Sequence, residues 1–133
     1  MVSDVGKEVL RDIGLLAEYI IRKSKGYDDT ADNCIKDKII RDMAEMTSRM
    51  KNEIRLVCID DLRILNDNHD IAVVECVDML DDAVKKEPYN NNEVKFKADA
   101  VISMVIDIIH QNIREDADYK KISEGVINEN VQI

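Results

Sequence analysis

Carboxylates are the residues whose types and spacing could do chemistry in this sequence. Asp42 and Glu45 lie three positions apart, and Glu75, Asp78 and Asp82 follow one another at intervals of three and four. On a helix such spacing brings side chains onto one face, because residues three and four apart are neighbours there. Oxygen-only donor sets suit Mg²⁺ or another hard cation. In a catalytic reading the candidate residues are therefore Asp42, Glu45, Glu75 and Asp78, with Glu75, Asp78 and Asp82 as the metal ligands and Mg²⁺ as the cofactor.

Other chemistries find less material. Asp107 and His110 have the three-residue spacing of a metal-binding pair, but helical phase sets them opposite the apolar line of Val101, Val105 and Ile108. His69, the only other histidine, falls in a polar stretch, so the ligand set of a di-metal bundle is not met. No Ser, Cys or Thr has a base and an orienting group nearby, and the four glycines are too scattered for a phosphate loop. The three cysteines, Cys34, Cys58 and Cys76, show no metal-binding spacing and read as buried apolar residues in a reducing cytosol.

The charge balance excludes further classes. With 28 acidic against 19 basic residues the net charge is −9, and no Lys/Arg cluster offers a surface for a phosphate backbone, so nucleic acid is not an expected partner. Arg22, Lys23 and Lys25 fall instead in the last turn of a predicted helix, where cations complement exposed carbonyls. No apolar run approaches a membrane span, and the first residues are charged where a secretory leader would be apolar. The expectation is a cytoplasmic protein without membrane insertion.

Four amphipathic segments must position these residues. The first, over residues 4–25, carries Val5, Val9, Ile13, Leu16 and Ile20 on one face, with Gly26 to end it, while Leu15 and Tyr19 point the other way, either as incidental surface residues, the usual case, or as part of a contact with a partner. The second runs over residues 32–65 without Gly or Pro, through Ile35, Ile39, Met43, Met46, Met50 and Ile54. Its apolar line drifts after Ile54, which marks a supercoil mismatch or a kink. A third, over residues 70–86, has Val73, Cys76, Val77, Leu80, Ala83 and Val84 inside, and a fourth, over residues 93–116, has Ala98, Val101, Val105 and Ile108. Short polar connections between them predict an all-α, antiparallel up-down four-helix bundle spanning residues 1–122, with 123–133 as a flexible tail. Helical phase puts Glu45, Glu75, Asp78 and Asp82 outside the apolar faces.

Three family resemblances accompany this reading. The carboxylate pairs resemble the ExxE and ExxD pairs of all-α nucleoside triphosphate pyrophosphohydrolases of the MazG and dimeric dUTPase type, which implies Mg²⁺-dependent cleavage by inward-facing acids. The spacing from Arg63 to His69 is similar to that of HEPN ribonucleases, whose RNA substrate the acidic composition disfavours. A longer stretch, from Arg11 to Glu87, resembles PhoU-type phosphate-regulatory proteins: Asp12-Ile-Gly-Leu-Leu-Ala17, then Asn68-His-Asp-Ile-Ala72 and Val77-Asp-Met-Leu-Asp81 follow that family's order of motifs. That resemblance implies a non-enzymatic regulator or adaptor that is often dimeric. At the positions of the family's metal-binding Glu-x-x-x-Asp pairs stand Arg11 and Leu15. Without an inward-facing constellation the preferred expectation is a bundle that needs no cofactor and acts through a protein partner or self-association; the Mg²⁺ pyrophosphohydrolase is the alternative.

Overall fold

Periodic aliphatic faces, almost no proline and few aromatics produce four helices among the described residues. The computed structural model describes the backbone of residues 4–57 and 73–132, and side chains over 4–57 and 73–111. The helices are α1 (Asp4–Asp29), α2 (Asn33–Ile54), α3 (Val73–Lys85) and α4 (Asn91–Gln132). Each packs on two neighbours, α1 and α3 both lying between α2 and α4, which closes a four-helix ring. Cross-helix pairs run in opposite directions along α1 and α4: Gly14 lies beside Val105, whereas Asp28, farther along α1, meets Asn91 at the start of α4. The bundle is thus all-α and antiparallel, as the sequence predicts.

The core is aliphatic. Leu10, Ile13 and Ile20 of α1, Met43 and Met50 of α2, Val73, Val77, Leu80 and Val84 of α3, and Val94 and Val101 of α4 are fully enclosed. Each such side chain contributes about 1.5–3 kcal/mol by leaving water. The methionines continue the isoleucine line of α2 as core residues, while Ile35, expected on that line, is exposed. Val5 is likewise exposed at the start of α1.

Three boundaries differ from the sequence reading. Helix α1 passes through Gly26 with no positive φ and ends at Asp29. Its last turn is held from outside, by Lys36 over the Tyr27 ring and by Asn91 on Asp28, and these contacts outweigh the glycine's weak propensity. Helix α2 does not run through residue 65 as the sequence predicts. It stops at Ile54, where the bonds from Leu56 N to Glu53 O and from Val57 N to Ile54 O tighten the chain into an i to i+3 turn. The drift of the apolar line at Ile54 is therefore a helix end, and Leu56 beyond it is exposed. Residues 58–72 lie outside the described residues, and with them Cys58, the Arg63 to His69 spacing and the Asn68–Ala72 motif. The longest helix among the described residues is α4, with 42 residues, which continues where loss of periodicity predicts an end near residue 116.

Connections are fixed by side chains. Asp32 caps α2, its Oδ1 accepting from Cys34 N at 2.8 Å and Ile35 N at 3.3 Å. Asn90 caps α4 in the same way through Glu93 N at 3.1 Å. Cys34, expected inside, is exposed in the first turn of α2, whereas Cys76 is buried on α3.

Candidate functional site

The predicted carboxylates are spread over separate faces. Asp42 turns toward α1 and pairs with Lys23 Nζ at 3.3 Å. Asp78 turns toward α2, 3.7 Å from Lys51 Nζ. Since α2 rises about 1.5 Å per residue, Asp42 and Lys51 stand roughly 13 Å apart along it, so Asp42 and Asp78 occupy different levels. Glu45, Glu75 and Asp82 are exposed. Among the described residues no group of three or more His, Cys, Asp or Glu side chains could hold a metal ion. Asp107 and His110 are exposed on α4, as their phase predicts.

Among the described residues the acidic side chain the bundle encloses is Asp81, 3% exposed. It sits one residue before Asp82 and three after Asp78, on the side of α3 that faces α2. Thr47 Oγ1 donates to its Oδ1 at 2.6 Å, Lys85 Nζ lies 2.8 Å from the same oxygen, and Lys51 Nζ reaches Oδ2 at 3.3 Å. Loss of water pushes the Asp81 carboxyl up, but hydrogen bonds from Lys85 and Thr47, with the charges around them, outweigh this and hold it below the usual carboxylate range. Lys51 is held above the ordinary lysine value, first by its hydrogen bond to Asp81 and then by that charge. Each carboxylate oxygen of Asp81 has at least one donor within the network. The network ties α2 to α3 through Thr47 and Lys51.

A second polar cluster anchors the α3–α4 connection on the end of α1. Buried Asn91 donates to Ser24 O at 2.8 Å and to Asp28 Oδ1 at 2.9 Å. Tyr89 Oη donates to Asn91 Oδ1 at 2.6 Å, and the Tyr89 ring tilts against Tyr27 with centroids 4.9 Å apart. Lys95 closes the cluster on Asp28. Between this connection and α2 opens a cleft of about 620 Å³. Ile40, Ala44 and Val84 give it an apolar lining, and Asp37, Arg41, Lys85 and Glu87 add charges of both signs. None of the predicted carboxylates lines it.

The outer surface has a different character. Leu15 and Tyr19 of α1 are each 53% exposed, one helical turn apart, with the Arg22 guanidinium 5.8 Å from the centre of the Tyr19 ring. Phe96, Ile106 and Ile109 of α4 and Met79 of α3 are exposed as well. Among the described residues no helix is long and apolar enough to cross a membrane. Compared with known proteins, the chain matches no family model, no curated protein and no solved structure.

Proposed function

We propose that this chain is a non-enzymatic regulatory or adaptor bundle of the cytoplasm, similar in organisation to PhoU-type regulators, and that it works by docking to protein. The observation that carries the reading is the outward pair Leu15 and Tyr19, half exposed on α1 with Arg22 against the ring. Tyr and Arg are among the side chains enriched at the hot spots of protein interfaces. The interior polar groups support the same conclusion, because Asp81 and Asn91 are consumed in holding helices together.

The test is cross-linking of the tagged chain in its own cells, followed by sizing of the recovered species. The wild-type chain should be recovered in a complex of defined mass, and the Leu15→Glu/Tyr19→Glu variant should lose it while keeping its helical circular dichroism. Recovery of the bare 15.2 kDa chain in both cases would overturn the proposal.

A further inference from the structure

The outward line of α1 is complementary to itself in reverse. Positions 8, 11, 15, 18 and 22 recur at intervals of three and four, so they share one line on the helix. Glu8, Arg11, Leu15, Glu18 and Arg22 occupy it, and all are exposed. Their order is acid, base, leucine, acid, base. Reversed, the line reads base, acid, leucine, base, acid, and every charge meets its opposite.

Among the described residues none of these charges is neutralised by an ion pair, although Glu18 and Arg22 have the spacing at which a helix favours one. Arg22 is turned over the Tyr19 ring instead. The line is also neutral as a whole in a chain of net charge −9, so two copies can approach along it without the repulsion that the rest of the surface imposes.

We propose that a second copy of this chain docks here, α1 against α1 in antiparallel orientation, across a two-fold axis passing beside Leu15. Glu8 then faces the partner's Arg22, Arg11 faces the partner's Glu18, and Leu15 meets the partner's Leu15 with Tyr19 at its flank. Two-fold symmetry makes each ion pair occur twice. Contact along one helix face is small, below about 1,200 Å² in total, which is the range of weak and transient association. The proposal rests on the interaction reading above and names its partner.

Sedimentation equilibrium at low salt, from about 1 μM to 1 mM protein, decides it, since this range brackets weak association. The wild-type chain should dimerise. Arg11→Glu/Arg22→Glu makes the line wholly acidic and Glu8→Arg/Glu18→Arg makes it wholly basic, so each variant alone should dimerise at least about tenfold more weakly, because like charges then face each other. An equimolar mixture of the two should form a heterodimer. Exchanging all four, Glu8→Arg/Arg11→Glu/Glu18→Arg/Arg22→Glu, recreates a self-complementary line and should restore the homodimer. A wild-type chain that stays monomeric throughout, a mixture that fails to pair, or a fourfold exchange that fails to restore association would each overturn the proposal. If the purified chain is monomeric while cells yield a complex with another protein that Leu15→Glu/Tyr19→Glu abolishes, the second copy is refuted and the interaction reading stands.

Discussion

Thr47 Oγ1 donates a hydrogen bond of 2.6 Å to Asp81 Oδ1, joining α2 to α3 inside the bundle. The hydroxyl also lies 3.0 Å from Ala44 O, but it has one proton, and an ionised carboxylate is the stronger acceptor. Thr47→Val keeps the shape and removes the donor, and should cost about 1–2 kcal/mol of unfolding free energy. Asp81→Asn should cost about 1–3 kcal/mol, since Lys51 and Lys85 lose their counter-charge. Urea unfolding of both single variants and the double variant checks the pair. A double variant more stable than the sum predicts, by about 0.5 kcal/mol or more, shows coupling; strict additivity would show that the bond contributes nothing.

Acid should weaken the fold through the same residue. Asp81 is held below the usual carboxylate range in the bundle, so the folded state binds fewer protons than the unfolded chain near that range. The stability this supplies is complete above the ordinary aspartate value of about 3.9 and is lost as pH falls through the folded value. Asp28 acts in the same direction at the surface, through hydrogen bonds from Lys95 and Asn91. The urea midpoint of the wild type should therefore fall below about pH 4, and that of Asp81→Asn should fall less steeply over the same interval. Parallel curves would show that Asp81 does not titrate in this way.

How far the architecture was legible depends on the element. Every residue placed on the inner face of α3, from Val73 to Val84, is buried, because a 3.6-residue period in aliphatic side chains has one physical outcome when other helices are available to cover it. Thr47 and Asp81 escaped for a related reason. A polar residue at a core position announces itself only through its partner, and here the partner is 34 residues away on another helix. The end of α2 was legible only as a drift of the apolar line after Ile54, because spacing alone does not tell a kink from the point where backbone bonds change from i+4 to i+3. For the candidate site, spacing along one helix put Asp42 and Asp78 on suitable lines, but it carries no information about which neighbour each line meets. Lys23 takes one and Lys51 the other.

Tyr89 gives the α3–α4 connection an alkaline signature. Burial, followed by the neighbouring Tyr27 and Asp28, pushes its phenol well above the ordinary tyrosine value, so the fold favours the neutral form that donates to Asn91. The resulting stability is complete below about pH 10, the ordinary tyrosine value, and is lost as pH rises toward the folded value. Tyr89→Phe should cost about 0.5–1.5 kcal/mol at neutral pH by leaving Asn91 Oδ1 without its donor. It should also flatten the decline in stability above about pH 10. Thermal unfolding across pH 7–11 measures both effects, and an unchanged alkaline slope in the variant would assign the decline to another group.

Among the described residues, thiol labelling distinguishes the exposed Cys34 from the enclosed Cys76. Cys34 lies exposed in the first turn of α2, next to the amide groups that Asp32 caps, whereas Cys76 packs inside α3. Burial raises the Cys76 thiol above its ordinary value, and the adjacent Glu75 charge adds to the shift, so both access and thiolate fraction are reduced there. In the native protein at pH 8, iodoacetamide followed by peptide mapping should modify Cys34 at least about tenfold faster than Cys76, as thiolate availability and exposure dictate. In urea the two rates should converge. Equal rates under native conditions would mean that α3 separates from the bundle on the labelling timescale, which contradicts the continuous packing of Val73, Val77, Leu80 and Val84 against their neighbours.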